Sequence, residues 1–262
     1  MSSDRSGLHV LVTGASSGIG EAIARAFLAR GDRVTLAARR VSLLEALARE
    51  HSERAFVYGV DLLQWKNADA LVDAARSAHG PIDVLVNNAG VQIVAPTDED
   101  DFEAGLALLA VNVAAPMRLT KLVLPEMIAR KRGTIVDIAS MAAIAPTPGM
   151  YYYNASKAAL AAASEGLRAE VRPHGVHVVT VYPGPVTSAM ESAAREKFEA
   201  SRSVESIPTG DAATLARMVV RAVDHKRARV IYPRVYGIAR HFPNVTRWVV
   251  DATTPALKRS RG

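Results

Sequence analysis

The chain contains no cysteine. That excludes a disulfide framework, a thiolate metal site and a cysteine nucleophile. Glycine and proline are scarce, 17 and 13 of 262 residues, too few for a collagen-like or low-complexity chain. No uncharged apolar run approaches the roughly 18 residues that a membrane helix needs. The opening Met1-Ser-Ser-Asp-Arg-Ser-Gly7 lacks the apolar core of a signal peptide. A cytoplasmic protein is the expectation.

What is present is the balance of an ordinary globular chain, 49% apolar and 22% charged. The net charge of +6 is uneven. From Arg221 to Gly262 there are ten Lys/Arg and two Asp, whereas the rest of the chain is slightly acidic. A basic tail suits an anionic surface or partner, although charge runs are usually just solvated, and a nucleic-acid role is not expected.

Short Val/Ile/Leu runs alternate with longer Ala-rich segments. Strands are expected at Leu8–Thr13, Arg33–Ala38, Ala55–Val60, Ile82–Asn87, Thr134–Ala139, Val176–Val181 and Arg229–Tyr232. Helices are expected at Ile19–Arg30, Val41–Glu50, Trp65–Ala78, Phe102–Arg130 with a kink or break at Pro116, and Tyr152–Arg172. Strands without polar alternation are buried on both faces. The pattern predicts an α/β fold, a Rossmann-like doubly wound parallel sheet of about seven strands with helices on both faces. Such folds bind ligands along the C-terminal edge of the sheet. With no repeat or linker in view, residues 1–262 are expected to form a single dinucleotide-binding domain, with 234–262 a basic amphipathic extension.

Directly after the first strand stands Thr13-Gly14-Ala15-Ser16-Ser17-Gly18-Ile19-Gly20. Glycines let the backbone turn tightly beside an anion, and the next helix points its free N–H groups and positive dipole end at it. The spacing is G-x-x-x-G-x-G, unlike G-x-G-x-x-G. The same residues also fit G-x-S-x-G, which would make Ser16 a hydrolase nucleophile. No histidine in the sequence falls convincingly at a strand end to serve as its base.

Further on, Tyr153 stands four residues before Lys157, so the two share a helix face, as Tyr151 and Tyr152 do not with that lysine. A fixed cation beside a phenol lowers its pKa from about 10, and a phenol so tuned is able to exchange a proton near neutrality. Ser140 ends the fifth strand, at the same sheet edge.

Taken together, the glycine loop, Asn87-Asn88-Ala89-Gly90, Asn112, Ser140, Tyr153-Asn-Ala-Ser-Lys157 and Pro183-Gly184-Pro185-Val186-Thr187 resemble the short-chain dehydrogenase/reductase family in order and spacing, over about 190 residues. The resemblance implies a hydride-transferring enzyme with Tyr153 as general acid/base. Lys157 would tune it and hold the nicotinamide ribose, Ser140 would bind the substrate oxygen, and Asn112 would anchor a proton-relay water. Gly14, Ser16, Ser17, Gly18, Ile19 and Gly20 would cradle the pyrophosphate. Asp61 would meet the adenine, and Asn88, Ala89 and Gly90 would support the cofactor. Pro183, Gly184 and Val186 would do so beside Thr187, which would touch the nicotinamide amide.

An acid about 20 residues past the glycines marks NAD. Here Leu36-Ala-Ala-Arg39-Arg40 offers two guanidiniums instead, suited to a 2′-phosphate. NADP(H) is therefore expected over NAD(H), and no metal. The apolar Met141–Met150 segment, with Met190, Phe198, Val204 and Ile207 as a lid, suggests an apolar ketone, aldehyde or secondary alcohol. The family's frequent terminal Asp-Gly-Gly is lacking. Instead Val235, Ile238, Phe242, Val245 and Val249 form an amphipathic stripe interrupted by Pro243. Its expected use is a dimer interface, and a homodimer or homotetramer is the expected assembly. Packing on the chain's own core and contact with a membrane surface are the alternatives. A non-catalytic dinucleotide-binding protein on the same fold is the alternative reading of function.

Overall fold

The computed structural model describes residues 7–199, 208–237, 239 and 242–259. Val204, Ile207, Ile238 and His241 lie outside the described residues.

Seven parallel strands form one sheet: β1 (His9–Thr13), β2 (Arg33–Ala38), β3 (Ala55–Gly59), β4 (Val84–Asn87), β5 (Gly133–Ile138), β6 (Val176–Pro183) and β7 (Arg229–Tyr232). Their spatial order is β3-β2-β1-β4-β5-β6-β7. All seven expected strands are present, with ends displaced by at most two residues.

The β period of two explains why these runs carry so little polar alternation. Val10 and Val12 of β1 face one helical layer, where Ile23 and Phe27 of α1 (Gly18–Ala29), Leu44 of α2 (Val41–Arg49) and Val219 of α8 (Ala212–Asp224) pack. Leu11, between them, faces the other layer, with Leu71 of α3 (Ala68–His79) and Leu119 and Met127 of α5 (Ala115–Ala129). Burial on two faces leaves only apolar residues useful. The strand order reverses between β1 and β4, and the crevice at that point, beyond the strand ends, is where such sheets take ligands.

Three expectations change. The long helix is α4 (Phe102–Leu109), then a π-helical segment Ala110–Ala114, then α5. Pro116 stands in the first turn of α5 and does not end the helical run. Its missing N–H denies the Asn112 carbonyl the usual i+4 bond, and the irregular turn lies just upstream. Within Phe102–Ala129 an 18-residue window has a mean hydropathy of 1.5, apolar enough in length and composition to cross a membrane, with a third of it buried. That window tolerates charges such as Arg118 and Lys121, which the search for uncharged runs did not. Helix α8 was not expected. Finally, Pro243 does not interrupt the tail stripe but opens a helix, α9 (Pro243–Thr253), as proline does where the N–H has no partner to lose.

Candidate active site

The glycine loop is bolted to the end of β4. The Thr13 hydroxyl accepts from the Asn88 and Ala89 amides at 3.0 and 3.1 Å, and Asn88 Nδ2 donates to the Thr13 and Gly14 carbonyls at 2.9 and 3.2 Å. Gly14 has φ +67°, and a Cβ there would lie 2.8 Å from Asn88 Nδ2. Gly20 serves differently from expectation. It does not line the crevice; it packs beneath the loop, where a Cβ would come within 2.3 Å of Asn88 Nδ2 and of the Gly14 carbonyl oxygen.

At the start of α1, Ser17 makes no side-chain cap. Its hydroxyl accepts from Arg40 Nη2 at 2.5 Å, and Ser16 Oγ accepts from the same nitrogen at 3.0 Å. The first turn of α1 therefore keeps N–H groups for an anion, with Arg40 tied to the loop and Arg39 exposed on the same rim. This is the chemistry a dinucleotide's phosphates require, and the loop fits them. Ser16 is held by an arginine, and no histidine among the described residues lines the cavity. The hydrolase reading thus has neither a free nucleophile nor a base.

The three tyrosines at the start of α6 (Tyr151–Val171) meet three fates. Tyr151 is exposed and crosses Tyr152 edge-on at 5.2 Å. Tyr152 covers Gly105 of α4, where a Cβ would strike its ring at 2.4 Å. Tyr153 alone reaches the crevice, beside Ser140 and Lys157. Ser140 lines the crevice beside the Tyr153 phenol and accepts from the Ala142 amide at 3.1 Å.

The expected acidification of Tyr153 by Lys157 is not what the geometry gives. The ammonium lies 5.7 Å from the centre of the phenol ring and donates to the Ile138 carbonyl at 2.8 Å. Burial raises the Tyr153 pKa; the Ser140 hydrogen bond opposes this and Glu191 adds to it. Burial also pulls Lys157 down to about 8, with Asp137 resisting. Loss of water outweighs the charge one turn away.

Asn112 sits at the middle of the π-helical segment and does not line the cavity. Its Oδ1 accepts from the Val91 amide at 2.9 Å, and its Nδ2 donates to the Val91 carbonyl at 2.9 Å and to Ser156 Oγ at 3.0 Å. The side chain is spent on fixing the irregular segment that follows Gly90, so any water it anchors must use its backbone. Asp61, Asn88, Ala89, Gly90, Pro183, Gly184, Val186 and Thr187 all line the crevice.

The cavity measures about 1080 Å³. Beyond Ser140 its wall is mostly apolar, with Met141, Ala145 and Met150 on one side and Met190 and Phe198 on the other. Helix α7 (Ala189–Arg195) adds one charged strip, Glu191 paired with Arg195 at 2.7 Å. Sequence reasoning missed the roof. Thr246, Val249, Val250 and Thr253 of α9 line the cavity, with Val235 and Tyr236 before them. The tail thus folds onto its own chain, while Phe242 and Trp248 remain exposed. A short antiparallel pairing of Phe198 with Leu257 ties the roof to the lip of the cleft. The signal was the threefold and fourfold apolar spacing of the stripe, whose partner no local pattern names.

The geometry is that of a dinucleotide-binding oxidoreductase. The short chain dehydrogenase family model matches residues 8–199. The chain is 31% identical to a dehydrogenase/reductase SDR family protein 7-like of Anopheles gambiae, over 96% of this chain and 84% of that one. It is 36% identical to a very-long-chain 3-oxoacyl-CoA reductase of Phaeosphaeria nodorum, over 70% of this chain but 56% of that one. A short-chain dehydrogenase from Streptomyces avermitilis superposes with a TM-score of 0.81 at 32% identity, covering 95% of both chains. A metagenomic short-chain oxidoreductase solved with NADP superposes at 0.71 with 34% identity, covering 86% of this chain and 96% of that one. The chain belongs to the short-chain dehydrogenase/reductase family. It is an NAD(P)-dependent oxidoreductase acting on small molecules.

Proposed function

We propose that this is an NADP(H)-dependent carbonyl reductase, or the reverse alcohol dehydrogenase, for an apolar ketone, aldehyde or secondary alcohol. The observation that carries the reading is the meeting of Tyr153, Ser140 and Lys157 with the glycine loop in one cavity. The nicotinamide, when bound, supplies or takes up hydride. The chain's own residues supply the proton and the geometry. The Tyr153 phenol lines the cavity, where in the reductive direction it is the group that gives its proton to the carbonyl oxygen, against the burial that raises its pKa. Ser140 orients that hydroxyl and offers its own to the same oxygen. Lys157 places a cation beneath the ring and toward the ribose. Asn112 and Ser156 hold the wall between Gly90 and Val91. Arg39 and Arg40 suit a 2′-phosphate, and the NADP-bound relative supports that preference. The apolar wall and the α9 roof support an apolar substrate, and the similarity to a 3-oxoacyl-CoA reductase adds 3-oxoacyl thioesters to the candidates.

The test is NADPH consumption over ketones of graded size and 3-oxoacyl thioesters, with NADH beside it. Tyr153→Phe should lower turnover about 10²–10⁴-fold while cofactor binding, read by fluorescence, is kept. Undiminished turnover in that variant removes the proton donor from the scheme. A homodimer or homotetramer in the cytoplasm is part of the proposal. Exposed Phe102, Leu106 and Met117 along α4 and α5 support self-association, which light scattering measures.

A further inference from the structure

Along one wall of the cavity, polar groups from three segments are joined to one another. Arg195 of α7 donates through Nε to Glu191 Oε1 at 2.7 Å and through Nη2 to Thr209 Oγ1 at 2.8 Å. Tyr236, in the tail, donates its hydroxyl to the Pro208 carbonyl at 3.0 Å. Its ring lies against Gly184, where a Cβ would come within 2.6 Å of it. Glu191, Arg195, Pro208 and Tyr236 all line the cavity. The roles above leave this polar wall unused.

What the wall has to spare is an acceptor. Glu191 stands three residues after Ser188, the cap of α7, whose Oγ accepts from the Glu191 amide at 3.2 Å. A glutamate in that position commonly reaches back to the amide of the cap. Here it turns to Arg195 instead, through Oε1 alone, and among the described residues Oε2 has no partner. The Glu191 side chain is 22% exposed, so water meets it while the cavity is open. A substrate that fills this part of the cavity takes that water away, and a charged oxygen so covered needs a donor in exchange. Arg195 already balances the charge, and a second cation would stand against it. A neutral donor, a hydroxyl, meets both conditions.

We propose that Glu191 is a specificity-determining residue, whose unspent carboxylate oxygen accepts a hydrogen bond from a hydroxyl of the substrate, separate from the reacting carbonyl. The substrate class is then a hydroxylated ketone or, in the reverse direction, a diol, on an otherwise apolar body. The inference rests on the reductase reading for its link to turnover, and on the cavity wall alone for its link to binding.

The probes are apolar ketones with a hydroxyl at graded distances from the carbonyl, each beside its methoxy ether. Values of kcat/KM with NADPH read turnover. Calorimetry of the corresponding diols and methoxy alcohols on the NADPH-loaded enzyme reads binding without reaction. For at least one separation the hydroxyl compound should be favoured over its ether about tenfold or more in both measurements, and Glu191→Leu should abolish the difference. Glu191→Gln keeps an oxygen for Arg195 and presents an amide N–H to the ligand, so ethers should gain on hydroxyl compounds. Lost packing does not produce that reversal, and this variant serves if the leucine one does not fold. No preference for the hydroxyl at any separation, or a preference that the folded variants retain, overturns the proposal and leaves the reductase reading standing if ketones are reduced. Diol binding that follows Glu191 in an enzyme that reduces none of the ketones supports the contact and condemns the reductase reading instead.

Discussion

At the scale of single residues, the site is governed by the removal of water more than by pairwise charge. Tyr153 and Lys157 are read correctly from their i, i+4 spacing as partners on one face, yet the effect on the phenol is opposite in sign to the one that spacing suggests. Spacing gives proximity along a helix. It does not report how far the surrounding chain, such as the Ile138 carbonyl that Lys157 meets, takes both groups out of water. Arg39 and Arg40 were equally legible, because the residues just after β2 must emerge at the sheet's C-terminal edge. The structure divides their work: Arg40 is tied to Ser16 and Ser17, and Arg39 stands exposed on the rim. Arg39→Asp should therefore weaken NADPH binding by about tenfold or more while leaving NADH binding nearly unchanged, since a charge-assisted bond to a phosphate contributes about 1.5–3 kcal/mol. Fluorescence titration with both cofactors measures this. Equal losses for the two would remove the 2′-phosphate assignment.

At the scale of elements, the strands were legible because a strand buried on both faces must be apolar throughout. Helix α8 was missed although its signals are present. Asp211 caps it by accepting from the Ala213 and Thr214 amides, and Leu215, Ala216, Val219, Ala222 and Val223 repeat at helical spacing. The π-helical segment was not legible, since its i+5 bonding answers to Pro116 and to the demands of Asn112 together. The tail helix was read as an apolar stripe, but what it covers depends on the distant lip of the cleft. Its inner face now bears a prediction. Val249→Trp fills space at the roof and should raise KM for bulky ketones at least several-fold, with KM for small ones and for NADPH little changed. Steady-state kinetics over the graded ketone series decides it; an equal effect on all sizes would place α9 outside substrate selection.

At the scale of the whole molecule, the edge of the sheet opposite the active site sets a stability limit. His9, in the middle of that edge, is fully buried. Its Nδ1 lies 2.9 Å from the Gly80 carbonyl and its Nε2 2.9 Å from Thr35 Oγ1. A carbonyl only accepts, so Nδ1 carries the proton and Nε2 accepts from the threonine. Burial, with small contributions from His79 and Arg33, lowers the His9 pKa from 6.5 to about 4, although the Gly80 hydrogen bond opposes it. The unfolded chain therefore binds a proton between those values that the folded one refuses. The stability associated with neutral His9 is complete above 6.5 and is lost progressively as the pH falls toward about 4, a difference of order 3 kcal/mol at most. Denaturant unfolding across that range should show the slope, and His9→Gln should flatten it. An unaltered slope in the variant would assign the acid sensitivity elsewhere.

The pairing of Phe198 with Leu257 is continued by the Glu199 amide to the Ala256 carbonyl and the Lys258 amide to the Lys197 carbonyl, each at 2.9 Å. Arg259 carries the same segment across to Asp98. Residues 256–259 are in effect a drawstring threaded through both sides of the purse. A substitution that loosens this knot would therefore act at the mouth of the cleft, remote from the bonds that hold the sheet together.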